Sequence, residues 1–203
     1  MIRFDFEAAK LYALKRLEKE LSPSLVYHSL AHTRSDVVPA AERLANIELV
    51  NGESRLLLIT AAWYHDIGYI KQYFDHEQVG ACIAEEALPD FYYKVDQISV
   101  VKGIILATRL PQSPHTHLEE IMVDADLDSL GREDFMSLNR NLRLERESLD
   151  SPINDLDWYV EQLEFMRAHQ YFTESARALR GDGKQRNIER INQSIEKLKV
   201  NER

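Results

Sequence analysis

Apolar residues recur at helical spacing along most of the chain. Between Phe6 and Leu21, leucines stand three or four residues apart, at Leu11, Leu14, Leu17 and Leu21. This spacing places them on one face of an α-helix. The sequence contains no alternation of apolar and polar residues long enough to indicate a half-buried strand. The pattern therefore predicts an all-α protein.

Prolines, glycines and capping residues divide the helical pattern into segments. Ser22-Pro23 is typical of a helix start, so a helix is predicted from about Pro23 to Val38, where Pro39 would kink or end it. Asn51-Gly52 predicts a turn, and two prolines predict a loop over 110–116. The other predicted helices are Ala40–Leu49, Leu56–Asp66, Asp75–Leu88, Tyr93–Thr108, His117–Leu130, Asp134–Glu147, Asp155–Leu179 and Lys184–Lys199, with a break at Asp150-Ser151-Pro152.

The segment Leu56–Asp66 is the most apolar of these predicted helices. An apolar surface on every side favours burial inside the bundle. It therefore predicts a buried central helix, which Gly68 would close.

Length and composition indicate an ordinary globular protein. The 203 residues, 44% of them hydrophobic and 29% charged, suffice for one sizeable domain. No stretch approaches the roughly 18–20 apolar residues that cross a bilayer, and the first residues mix acids with bases, unlike a secretory signal. The single cysteine, Cys82, cannot form an internal disulfide, which suits a reducing compartment. A cytoplasmic protein without a membrane partner is expected.

The net charge of −9 argues against binding to duplex nucleic acid. Proteins that bind duplexes carry a basic face that neutralises phosphates, and no basic cluster precedes the C-terminal tail. The negative charge does not exclude binding of a small phosphorylated substrate, because a bound metal ion would supply positive charge locally.

Histidine and aspartate stand beside apolar segments at several places. His65-Asp66 ends the most apolar helix, where an unpaired buried charge is expensive. Asp124 and Asp126 follow the apolar run 121–123. Coordination of a divalent ion removes the cost of burying such groups. Imidazole and carboxylate together suit Mn, Fe, Ni, Co or Zn, with Mg as a further candidate.

The order of these residues resembles the HD-domain superfamily of metal-dependent phosphohydrolases. The resemblance spans about residues 24–130. It rests on Tyr27-His28-x-x-x-His32 with Val37 downstream, on Trp63-Tyr64-His65-Asp66-Ile67-Gly68, and on Asp124-Ala125-Asp126-Leu127. The resemblance implies an HD-type helical bundle with additional C-terminal helices. Residues 1–22 would form an N-terminal helix, 23–130 the core, and 131–203 an extension of the same domain.

The resemblance also implies a metal site. His32, His65, Asp66 and Asp126 would be the ligands of a divalent ion, and Asp124 would orient a ligand from the outer shell or cap a helix. His76, followed by Gly80, resembles a histidine that helps to bind a second metal in one branch of the superfamily. His76 is therefore a candidate for a second metal ion or for phosphate.

Catalytic roles follow from the same resemblance. His28 lies where related enzymes place a histidine that protonates the leaving group, and it shares a helical face with His32 if both lie on one helix. Asp66 is a candidate acceptor for the proton of the attacking water. Lys71 and Arg109 are candidates for phosphate binding or ordinary surface bases.

The resemblance implies hydrolysis of a phosphate ester, in particular of a nucleotide, by water that the metal activates. One alternative is a sensor domain that binds metal and nucleotide with little turnover. Another is a di-iron oxygenase, which needs ligands beyond the four named. A homodimer is left open, because the amphipathic last helix could dock on its own chain or on a partner.

Overall fold

The computed structural model describes residues 4–149 and 152–201. These residues form nine α-helices and no strand, which confirms the predicted all-α fold. The helices are α1 (Phe6–Glu20), α2 (Val38–Ile47), α3 (Gly52–Tyr64), α4 (His76–Ala87), α5 (Val95–Ala107), α6 (His117–Asp126), α7 (Phe135–Leu149), α8 (Asp155–Ala168) and α9 (Glu174–Asn201). Short 3₁₀ helices cover Ile67–Ile70, Leu88–Phe91 and Asp128–Gly131. The first two residues of the predicted break at 150–152 lie outside the described residues.

The chain divides into two compact units between Leu127 and Asp128. In the first unit, α3 packs against α1, α2 and α5. Its residues from Leu57 to Tyr64 are all buried, which confirms the prediction of a buried central helix. The Tyr64 hydroxyl donates a hydrogen bond of 3.0 Å to the backbone oxygen of Ala9, which fastens α1 to α3.

The segment between α1 and α2 differs from the prediction. Ser22-Pro23 does not start a helix, and the chain forms turns and bends until it becomes helical at Leu30. The Ser22 hydroxyl accepts a hydrogen bond from the backbone N–H of Ser24, two residues on, and so closes a local turn. Such side-chain bonds compete with helix formation. His28 therefore precedes the helix that carries His32.

Pro39 neither ends nor interrupts that helix. The stretch His32–Val37 is a π-helix that leads directly into α2, and the backbone N–H of Val38 donates to the oxygen of Thr33, five residues earlier. Proline has no N–H to donate, and the wider π-turn just before it accommodates the missing bond. His32 is the first residue of this widened stretch, so the irregularity of the backbone lies at a candidate ligand.

The second unit contains α7, α8 and α9. The predicted helix Asp155–Leu179 is wrong, because α8 ends at Ala168 and α9 begins at Glu174. The hydroxyl of Thr173 accepts from the N–H of Ala176 at 3.1 Å, which gives α9 its own N-terminal cap.

Two glycines lie inside α9, where the sequence predicted an interruption. A Cβ at Gly183 would lie 1.9 Å from the backbone oxygen of Gly131. Glycine at this position therefore allows the two backbones to approach closely, and α9 continues through Gly183 without interruption.

His169, between α8 and α9, predicts a dependence of stability on pH. Both ring nitrogens are buried without a hydrogen-bond partner. Burial, followed by the charge of Lys184, lowers the pKa of His169 to about 4. In the unfolded chain the pKa returns to about 6.5, so the stability that the neutral ring provides is complete above that pH and is lost as the pH falls towards 4.

We expect His169→Phe to remove this acid sensitivity. Between pH 7 and 4.5, the variant should gain about 2 kcal/mol in free energy of unfolding relative to the unsubstituted protein. Urea unfolding at a series of pH values measures the difference. The same substitution at the exposed His115 is the control. Parallel pH profiles for the His169 variant and the unsubstituted protein would contradict the prediction.

Candidate metal centre

Four side chains from three separate parts of the first unit converge on one point. His65 Nε2 lies 3.2 Å from Asp66 Oδ2 and 3.5 Å from Asp126 Oδ1. His32 Nε2 lies 3.7 Å from Asp66 Oδ2 and 3.4 Å from Asp126 Oδ1. The structure therefore brings together all four residues that the resemblance implies as ligands.

Buried segments of α3 and α6 fix the positions of His65 and Asp126 in the interior of the first unit. His65 caps the C-terminus of α3 and is fully buried, because the apolar helix before it lies in the core. Asp126 is the last residue of α6, which begins with reciprocal hydrogen bonds between Thr116 and Glu119. Polar side chains at the ends of these helices are therefore largely buried together with the apolar residues that precede them.

Two facing atoms of the cluster lack hydrogen bonds. His65 Nε2 and Asp66 Oδ2 are buried and have no hydrogen-bond partner, although they lie 3.2 Å apart. The other ring nitrogen of His65, Nδ1, lies 2.8 Å from the backbone oxygen of Ala62. A backbone oxygen only accepts, so in a neutral ring Nδ1 carries the proton and Nε2 presents a lone pair. With the ring neutral, the lone pair and the facing carboxylates lack positive charge, which a proton on Nε2 or a metal ion between them would supply.

The electrostatics of the cluster agree with this requirement. Burial opposes the charged form of His65, but the Asp66 and Asp126 carboxylates outweigh burial and raise the pKa of His65 well above its usual value. Burial likewise opposes ionisation of Asp66 and Asp126, and here the histidines outweigh it and lower the pKa of both carboxyls. The carboxylates are thus ionised and favour positive charge beside them.

The spacing of the donors fits a single metal ion. Donors that each lie about 2.1 Å from one ion are about 3.0–3.5 Å apart at octahedral to tetrahedral angles. The separations of 3.2 to 3.7 Å across the cluster are close to this range. Ligand atoms of His32, His65 and Asp66 all lie within 4.8 Å of one another. The donor set of two imidazoles and two carboxylates suits a divalent transition ion or magnesium.

His76 approaches the same centre from α4. Its Nε2 lies 3.5 Å from Asp66 Oδ1, the carboxylate oxygen other than the one that faces His65. Its Nδ1 lies 3.3 Å from the backbone oxygen of Tyr73, which fixes the proton on that side in a neutral ring. The Asp66 carboxylate therefore has a histidine at each oxygen.

His28 also lies at the centre, although it is not on the helix of His32. The ring centroid of His28 is 5.9 Å from that of His32 and 6.2 Å from that of His76. The prediction that His28 and His32 share a helical face is wrong, but the turns before α2 bring His28 to the cluster. His28 and His76 keep partial exposure.

Three further candidates lie outside the set of four converging side chains. Asp124 is fully buried in α6, two residues before Asp126. Lys71 is exposed just after the 3₁₀ helix Ile67–Ile70. Arg109 is about 60% exposed and forms an ion pair with Asp75, the residue before α4. Arg109 is therefore fastened to the loop that precedes His76, at the edge of the site.

Sequence reasoning missed three aromatic residues around the centre. Tyr69 packs on the rings of His28 and His76, Tyr73 meets the edge of Tyr69, and Phe74 meets Tyr73. The signal that could have found them is the density of aromatic residues in the ten positions after His65-Asp66.

Comparisons with known proteins agree with the fold. Residues 30–129 match the model of a family described as HD domain. A crystal structure of a Lactobacillus plantarum protein, a structural-genomics target, is similar to this chain with a TM-score of 0.71. Its sequence is 18% identical, and the match covers 96% of this chain and 97% of that chain, so the likeness shows the fold alone. No curated protein matches the sequence.

Helices suited to a bilayer are not found among the described residues. Each helix there is too short or too polar to cross a membrane.

The four converging side chains all fall within the residues that match the family.

Proposed function

Because the chain belongs to the HD-domain superfamily, whose members are usually metal-dependent phosphohydrolases, we propose that it cleaves a phosphate ester of a nucleotide. The observation that carries the proposal is the buried pair His65 Nε2 and Asp66 Oδ2, which lack hydrogen bonds and face His32 and Asp126. A divalent ion held by these residues would act as a Lewis acid on a phosphoryl oxygen and would activate water.

The side chains around the ion site would transfer protons during the reaction. Asp66 Oδ1, which faces His76, would accept the proton of the attacking water. His28 keeps partial exposure and is the candidate donor of a proton to the leaving oxygen. Asp126 is about 17% exposed, whereas the side chain of His65 is fully buried, so substrate would approach from the side of Asp126 and His28.

An aromatic rim supports the nucleotide as substrate. Phe74 is about 79% exposed and its ring centroid lies 5.4 Å from that of Tyr73. Tyr73 in turn lies 6.2 Å from His28. An exposed aromatic ring one side chain away from the catalytic histidine offers a surface on which a nucleobase stacks.

A screen of phosphate release tests the proposal. Nucleoside mono-, di- and triphosphates are offered to the protein loaded with Mn, Ni, Co, Zn or Mg. We expect turnover of at least one class, lost on addition of a chelator and restored by the metal. Tight nucleotide binding without phosphate release under any metal would contradict hydrolysis and favour the sensor alternative.

Phe74→Ala tests the part of the proposal that concerns the base. Because stacking contributes about 1–3 kcal/mol per base, KM for a nucleotide should rise about tenfold with kcat little changed. KM for a substrate without a base, such as ribose 5-phosphate or pyrophosphate, should stay constant. Val95→Ala, which alters an equally exposed apolar residue on α5, is the matched control. Equal changes in KM for both substrate classes would contradict base stacking.

The competing function is a di-iron oxygenase. The observation that favours it is the approach of His76 to the second oxygen of Asp66, which offers one donor more than a single ion needs. Two irons per chain together with oxygen consumption would support this alternative against hydrolysis.

A further inference from the structure

Tyr69 connects the two histidines that border the four converging side chains. Its side chain is buried, with 8% of the residue exposed. The ring is stacked on His76 with a centroid distance of 3.8 Å and an interplanar angle of 19°. It is also nearly parallel to His28, at 4.5 Å and 26°. One buried ring therefore packs against both histidines.

These two histidines reach the site from segments far apart in the chain. His28 lies in the turns before α2, and His76 is the first residue of α4. Tyr69 belongs to the 3₁₀ helix that follows Asp66, and its backbone N–H donates a hydrogen bond of 3.1 Å to the oxygen of Asp66. The contact surface for both rings is thus built on the chain segment that carries the central carboxylate.

The hydrogen bond of His76 restrains only part of its ring. The Nδ1 contact with the oxygen of Tyr73, at 3.3 Å, and the approach of Nε2 to Asp66 Oδ1, at 3.5 Å, both lie at the edge of the ring, so neither contacts its face. Stacking on Tyr69 acts on the face and restricts the tilt of the ring, which decides how Nε2 faces Asp66 Oδ1. Because the quadrupoles of two rings favour particular mutual orientations, the contact is directional as well as apolar.

We infer that Tyr69 is a positioning residue that orients the rings of His28 and His76 beside the Asp66 carboxylate. It acts on these two rings and leaves His32, His65, Asp66 and Asp126 in place. The effect on turnover rests on the proposed function, whereas the orientation of the rings does not. The flat ring of Tyr69, more than its hydroxyl, carries the effect.

The test compares Tyr69→Phe, which keeps the ring, with Tyr69→Leu and Tyr69→Met, which remove it. Histidine ring signals are recorded by long-range ¹H–¹⁵N NMR and assigned with His28→Gln and His76→Gln. In the unsubstituted protein, the ring current of Tyr69 should shift the ring protons of His28 and His76. The shifts should persist in the phenylalanine variant and disappear in the two aliphatic variants, with smaller changes at His32 and His65.

Kinetics provide the second measurement. Because a general acid or base contributes 10²–10⁴-fold, loss of orientation should lower kcat about tenfold or more, with KM and metal content little changed. Tyr69→Phe should retain most of kcat. Tyr93→Leu is the matched control, since Tyr93 is buried to a similar degree in the same unit and packs on Phe4.

The two measurements separate a failure of the Tyr69 inference from a failure of the proposed function. Unchanged His28 and His76 signals in both aliphatic variants would overturn the inference, as would a phenylalanine variant as impaired as the leucine variant. If the ring signals change as expected but no phosphate ester is hydrolysed even by the unsubstituted protein, the proposed function fails and the positioning by Tyr69 stands.

Discussion

Replacement of Asp66 by asparagine is expected to abolish both the metal content and the proposed phosphohydrolase activity, with helix content nearly unchanged. Asparagine keeps the shape of the side chain but removes the charge that holds a cation between Asp66 Oδ2 and His65 Nε2. Loss of partners outside the ligand shell already costs about 10–100-fold in metal affinity or activity, so loss of a ligand should exceed that range. His65→Ala should have the same effect.

Metal analysis, phosphate release and circular dichroism on the same preparations measure these outcomes. The control is Asp96→Asn, which removes an exposed carboxylate in the first turn of α5. This control should keep metal and activity. An Asp66→Asn protein that is free of metal yet fully active would refute the role given to Asp66.

Gly68→Ala is expected to produce the largest structural effect of any glycine-to-alanine substitution in the first unit. A Cβ at Gly68 would lie 1.9 Å from the backbone oxygen of His76 and 2.9 Å from the N–H nitrogen of Gly80. Backbone atoms cannot move aside as a flexible side chain does, so the start of α4 must shift. We expect a loss of about 2–4 kcal/mol in free energy of unfolding.

The same shift should impair the site, because it withdraws His76 from Asp66 Oδ1. Urea unfolding and kcat are measured on Gly68→Ala beside Gly181→Ala. A Cβ at Gly181 meets nothing within 4 Å, so alanine there should stabilise α9 by about 0.5–1 kcal/mol. A Gly68→Ala protein with the stability and kcat of the unsubstituted chain would show that the close approach is not required.

Gly68 also shows where sequence reasoning stops. Its position after an apolar helix predicts a helix end, but α3 already ends at Tyr64 and Gly68 lies within the following 3₁₀ helix. Its function is to let that helix touch α4. Close approach of two backbones depends on tertiary packing, which a single sequence does not display.

The converging side chains were easier to predict than the chain path around them. His65, Asp66 and Asp126 directly end or follow apolar helices, and the burial of such helices can be read from the sequence. His28 could not be placed in this way, because the turns of 22–29 depend on local hydrogen bonds of serine side chains. The π-helix at His32 likewise was not predicted, because Pro39 removes a backbone N–H and more than one arrangement of the preceding turns accommodates that loss.

The aromatic residues around the site were not predicted for a related reason. The sequence pattern gives no sign that Tyr69 or Tyr73 contacts a histidine, and Tyr69 is buried as a core residue would be. Their ring contacts with His28 and His76 distinguish them from ordinary packing. The break between α8 and α9 was missed because the helical pattern of apolar residues continues across His169 to Thr173.

Metal analysis of protein purified without chelator tests the central claim most directly. The account predicts about one equivalent of a divalent transition ion per chain, held by His32, His65, Asp66 and Asp126 and absent from Asp66→Asn. Two irons per chain would indicate that His76 helps to bind a second metal ion, and would favour the oxygenase alternative. Protein that takes up no metal, even after incubation with Mn, Ni or Mg, would contradict the account.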